Sequence, residues 1–134
     1  MNEKKELLVV KEGPICTLTI NNPGKRNALT PDCLFDIAQT FDDLSRDDAI
    51  RVVILRGAGE EAFSAGADIT AMPRRGLSVE TRKDQGNSAM ASEAIQKFPF
   101  PVIAMLYGYT LGAGCVLAMA CDIRMMNWKA IPIN

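Results

Sequence analysis

Two runs of small residues are the parts of this chain best suited to chemistry. The first is Ala62-Phe63-Ser64-Ala65-Gly66-Ala67-Asp68-Ile69; the second, roughly 45 residues later, is Gly108-Tyr109-Thr110-Leu111-Gly112-Ala113-Gly114-Cys115. Each follows an apolar segment with strand character. Small side chains let a bound group approach the main chain, whose N–H groups then act as donors. Two such loops, if they converge, hold one oxyanion from two sides. The second run leads into a helix expected to begin near Ala113. The first N–H groups of a helix lack internal acceptors, and its dipole adds partial positive charge there. The chemistry implied is stabilisation of an enolate or thioester oxyanion by the amides of Ala67 and Ala113. A backbone donor needs no particular side chain, so another small residue at either position should serve.

Composition narrows the alternatives. The 134 residues suffice for one domain with a buried core. At 48% hydrophobic and 6% aromatic, that core must be largely aliphatic. A net charge of −1 gives no basic surplus for nucleic acid or a membrane surface. No apolar run approaches the ~18 residues of a membrane span. The acidic and basic start, Met1-Asn2-Glu3-Lys4-Lys5-Glu6, is unlike a signal peptide, so the cytoplasm is the expected compartment. Histidine is absent, which removes imidazole acid–base chemistry and His metal sites. Cys16, Cys33, Cys115 and Cys121 form no C-x-x-C pair and read as reduced packing residues, so no metal is expected.

The elements that must position the two loops are legible from periodicity. Leu7–Val10 and Ile15–Ile20 read as a β-hairpin around Glu12-Gly13-Pro14. Asn21–Gly24 is turn chemistry, followed by the polar loop Lys25-Arg26-Asn27. Thr30-Pro31-Asp32 opens a helix whose apolar face is Leu34, Ile37, Ala38, Phe41 and Leu44. Val52–Leu55 and Val102–Leu106 are short apolar runs, expected to be strands buried on both faces. Met72–Leu77, with Arg74 and Arg75, reads as a surface segment, and Ser78 as the cap of a helix reaching Phe98. Cys115–Cys121 reads as a helix and Ile123–Met126 as a third strand. This order predicts an α/β fold with parallel strands. Residues 127–134 follow the last strand with no helix to cover it, so the chain is expected to be a truncated piece of something longer and to self-associate.

Together these blocks resemble the crotonase superfamily, the enoyl-CoA hydratases and isomerases. The resemblance runs from about Leu7 to Met126, through Leu18–Pro23, Lys25–Leu29, Phe63–Ile69, Pro101–Ala104, Gly108–Cys115 and Leu117–Arg124, in one order. It implies a single partial crotonase-like domain of the ββα-superhelix type, truncated at its C-terminus, with residues 127–134 an unmatched tail. It implies Ala67 and Ala113 as the oxyanion-hole donors. It implies Lys25, Arg26 and Ala28 beside the CoA nucleotide, and Ala65, Asp68 and Ile69 along the adenine and pantetheine; Leu111 is counted with these substrate contacts. CoA would arrive as part of an acyl-CoA substrate, with no other cofactor, and a homo-oligomer (trimer or hexamer in the family) is expected.

Two departures qualify the activity implied. The family's hydratases carry a catalytic Glu where this chain has Val116, which transfers no proton. Their other acid/base carboxylate lies beyond the third strand. The alternative is therefore a catalytically silent CoA-thioester binder or assembly fragment. Blander readings stand beside each feature: close turn packing for Ser64–Ala67, a solvated loop for Lys25-Arg26, local capping for Asp68 and surface for Glu60 and Glu61. Gly112-Ala113-Gly114 with Ala118 also fits a loose dinucleotide pattern, but lacks the acid expected about 20 residues later.

Overall fold

The computed structural model describes residues 5–71 and 87–127. The hairpin forms as expected, β1 (Leu7–Glu12) and β2 (Ile15–Ile20) pairing antiparallel across Gly13, whose φ of 59° suits glycine. Helix α1 (Pro31–Ser45) starts where Thr30 Oγ1 accepts from the Cys33 amide at 3.0 Å, with Pro31 in its first turn. It buries Leu34, Ile37, Phe41 and Leu44.

The following strands are β3 (Val52–Gly57), β4 (Ala62–Ser64), β5 (Val102–Leu106), β6 (Tyr109–Thr110) and β7 (Ile123–Met126). Helix α2 spans Ser88–Lys97 and α3 spans Ala113–Ala120. The main sheet has the order β1-β2-β3-β5-β7, parallel from β2 onwards, and β4 and β6 form a separate parallel pair. One face of the main sheet, Cys16, Leu18, Ile20, Val53, Leu55, Val102, Ala104 and Leu106, is buried in the core with α1 and α2 residues such as Phe41 and Ile95. Phe41 and Phe98 meet edge-to-face at 5.7 Å between centroids.

Three expectations change. First, β3 and β5 are not buried on both faces. Alternate residues are fully buried, while Val52, Ile54, Ile103 and Met105 are only half-buried, because no described layer covers the second face. Second, of the two starts the sequence suggests for the last helix, Ala113 holds and Cys115 does not: Gly112, at φ 51°, supplies the N-cap turn that an L side chain resists. Third, α2 is described from Ser88, and its N-cap is Asn87, whose side chain accepts from the Met90 amide at 2.8 Å. Asn87 thus starts a helix that the sequence reading ran through it. Segment Met72–Leu77, the Ser78 cap and residues 128–134 lie outside the described residues.

Candidate functional site

The two small-residue runs meet at the ends of β3 and β5. The pair β4–β6, which the sequence did not suggest, is built from the runs themselves: Ala62 registers with Tyr109 and Ser64 with Thr110. Ser64 is the joint. Its carbonyl accepts from the Leu111 amide at 3.0 Å, and its hydroxyl accepts from the Gly66 amide at 3.1 Å. Contact is backbone to backbone, as the glycines demonstrate. A Cβ on Gly114 would stand 2.6 Å from the Ser64 carbonyl oxygen. One on Gly66, which has φ 105°, would lie 3.1 Å from the Leu111 oxygen and 3.6 Å from the Ala113 nitrogen. Residues 66 and 113 are therefore neighbours.

Both expected donor amides are uncommitted. Leu29 bridges Ala67 in parallel fashion: the Leu29 amide donates to Gly66 O at 2.7 Å, and Leu29 O accepts from the Asp68 amide at 2.8 Å. In such a bridge the central residue's own N–H points away from its partner, and the Ala67 amide has no acceptor among the described residues. Ala113 is the first residue of α3, so its amide has no acceptor within the helix, and none elsewhere among the described residues. Both alanines are half-buried, which leaves room for a ligand atom while limiting water.

The flanking loop 25–29 is clamped to this centre by Asn27, which the sequence reading passed over. Asn27 is buried at φ 56°, a conformation asparagine tolerates. Its amide donates to Ala58 O at 3.0 Å and Ala62 O at 2.8 Å, and its oxygen accepts from the Asn22 amide at 3.0 Å. Ala65 N–H then donates to Arg26 O at 2.9 Å, holding Ala28 and Ala65 on one scaffold. The signal available in the sequence was a polar residue between a turn and an apolar stretch, too common to single out.

Charged candidates are already partnered. Lys25 Nζ lies 3.3 Å from Asp68 Oδ2, and Thr70 donates to Asp68 Oδ1 from its amide and its hydroxyl at 3.0 and 2.6 Å. The Thr70 hydroxyl first, then its amide and Lys25, hold the Asp68 carboxyl below its ordinary value against the opposing effect of burial. Asp68 thus caps the turn Ile69–Ala71 and tethers Lys25. Arg26 pairs with Glu61 at 2.9 Å and stacks over Tyr109 at 4.8 Å, so Glu61 has a partner on the site's rim. Ile69 is 82% exposed. Val116 follows Ala113 by one helical turn, on the same side of α3, and is 43% exposed. Asp122 has a structural duty: its carboxylate accepts from the Val102 amide at 2.8 Å while its amide donates to Val102 O at 2.9 Å, locking β7 to β5.

A family model described as enoyl-CoA hydratase/isomerase matches residues 10–133. The chain belongs to the enoyl-CoA hydratase/isomerase family. The match continues past Met126 into the tail that the sequence reading left unassigned. The chain is 37% identical over 128 residues to the short-chain-enoyl-CoA hydratase of Clostridium acetobutylicum, covering 96% of this chain and 49% of that protein. It is 35% identical over 121 residues to the crotonyl-CoA hydratase of Syntrophomonas wolfei, covering 90% of this chain and 46% of the relative. The crystal structure of enoyl-CoA hydratase from Bacillus anthracis superposes with a TM-score of 0.80 at 31% identity, over 94% of this chain and 49% of that one. The chain spans about half the length of the curated relatives it matches, and its fold is a portion of the crotonase-like domain of this family.

Proposed function

We propose that this chain binds an acyl-CoA thioester and stabilises the enolate form of its thioester carbonyl through the amides of Ala67 and Ala113. The observation that carries this reading is the pair of half-buried N–H groups that have no acceptor among the described residues, on loops that pack glycine against glycine. Preorganised donors of this kind reduce the cost of developing negative charge because they need not reorganise. Lys25 keeps its side chain 58% exposed beside Asp68, and its tethered ammonium suits the phosphates of CoA. Arg26, Ala28, Ala65, Asp68, Ile69 and Leu111 are proposed to line the remainder of the ligand. Asp68 acts there through Lys25, since both its oxygens are engaged. No cofactor beyond the CoA of the substrate enters this reading.

A second reading, binding without turnover, is favoured by Val116. It stands where the family pattern places a glutamate, and its isopropyl group neither donates nor accepts a proton. One titration tests both. Crotonyl-CoA and a 3-enoyl-CoA are added to the chain in a calorimeter while enoyl absorbance is followed, with acetate as a control for nonspecific anion binding. Saturable heat with an absorbance change supports an active oxyanion site; saturable heat alone supports the silent binder. A folded chain that gives no heat with either thioester refutes both.

A further inference from the structure

Ser64 is the one hydroxyl residue in the run Ala62–Ile69, and it is fully buried. A buried hydroxyl is costly unless it is hydrogen-bonded. Its contacts explain its presence, since each lies within two residues of a proposed donor. The hydroxyl accepts from the amide of Gly66, the neighbour of Ala67, at 3.1 Å. The carbonyl accepts from the amide of Leu111, two residues before Ala113, at 3.0 Å. A Cβ on Gly114, the residue after Ala113, would stand 2.8 Å from the Ser64 Cβ, so the first turn of α3 rests on this side chain.

Each proposed donor follows a glycine of positive φ: Gly66 at 105° precedes Ala67, and Gly112 at 51° precedes Ala113. Glycine holds such a conformation weakly, because many others are open to it, and the next amide turns with it. Each glycine is fastened on both sides. Downstream, Gly66 O accepts from the Leu29 amide at 2.7 Å and Gly112 O from the Val116 amide at 3.0 Å. In a trans peptide the following N–H then points the opposite way. Upstream, both fastenings come from Ser64, through its hydroxyl on Gly66 and its carbonyl on Leu111.

We propose that Ser64 is a positioning residue for acyl-CoA chemistry at this site: it sets the two glycine turns that aim the Ala67 and Ala113 amides at one oxyanion. This role rests on the oxyanion reading above and adds to it what keeps the two donors in register. Ser64 acts through its neighbours and touches no substrate. Substitution removes only the hydroxyl, since the bond to Leu111 is made by the main chain. Losing the side chain therefore loosens the Ala67 turn and spares the one at Ala113.

The test compares wild type with Ser64→Ala and with Ile37→Val, a truncation on the buried face of α1 that lowers stability away from the site. Amide exchange followed by NMR on the free chain should be about tenfold faster or more at Gly66 in Ser64→Ala, and unchanged at Leu111. A pH titration of saturating acetoacetyl-CoA should find its enolate about three- to tenfold harder to form on Ser64→Ala, because hydrogen bonds weaken steeply as they bend. Ile37→Val should match wild type; a shift of the same size there marks general loosening and overturns the role. Ser64→Cys retains a weaker acceptor and should fall between wild type and Ser64→Ala, and it carries the comparison if Ser64→Ala does not fold. Wild type that fails to lower the enolate pKa of acetoacetyl-CoA refutes the oxyanion reading, and this role with it. Wild type that lowers it, with folded Ser64 variants that lower it equally, overturns the role of Ser64 alone.

Discussion

Replacing Ala113 by proline deletes one proposed donor with little other disturbance. The Ala113 amide has no acceptor among the described residues, so no internal hydrogen bond is lost. Position 113 is the first of α3, where proline's fixed φ is compatible with the helix and its missing N–H is an orphan in any case. The consequence should therefore appear on the ligand. A hydrogen bond to a charged acceptor is worth about 1.5–3 kcal/mol. At 1.36 kcal/mol per pKa unit, losing it should raise the pKa of a bound 3-ketoacyl-CoA by about 1–2 units, because the donor favours the ionised enolate. The assay is a pH titration of the enolate absorbance of saturating acetoacetyl-CoA on wild type and on Ala113→Pro, with circular dichroism to verify the fold. It requires no turnover, so it applies equally to an active and a silent site. If the chain does turn over, kcat should fall about 10²–10³-fold. A folded variant that binds the ligand with unchanged enolate pKa refutes the assignment of Ala113.

Other expectations follow from the same scaffold. Asn27→Ala would orphan the Ala62 carbonyl and the Asn22 amide, and should cost about 2–4 kcal/mol in urea unfolding. Gly114→Ala would press a methyl against the Ser64 carbonyl, and should cost about 1–3 kcal/mol and weaken acyl-CoA binding in calorimetry. Asp68 has its pKa lowered in the folded state, so its contribution is present above its ordinary value of 3.8 and is lost as pH falls through the folded value; Asp68→Asn should flatten that acid limb of a stability–pH curve. Burial pushes the Cys33 and Cys121 thiols up to about 12, leaving them protonated at pH 8; iodoacetamide should label half-buried Cys115 well before either, as read by peptide mass spectrometry.

Much of this molecule was legible in one dimension. The hairpin, α1 with its Thr30 cap, β3, β5 and β7 are local consequences of periodicity, turn chemistry and capping, which depend on residues a few positions apart. The two small-residue runs were legible for the same reason: such composition next to strands has few uses. The ordered blocks from Leu18 to Arg124 also carried the family, since their succession is a linear property. Tertiary structure alone decided that Gly66 packs against Gly112 and Ala113, that the runs pair as β4 and β6, and that Asn27 clamps carbonyls 31 and 35 residues away. It also decided that Asp68 and Arg26 direct their charge to Lys25, Thr70, Glu61 and Tyr109, and that β7 is the last strand of the main sheet among the described residues. These are pairings between distant segments, set by how strands register and loops close, and no local pattern encodes which amide is left without a partner.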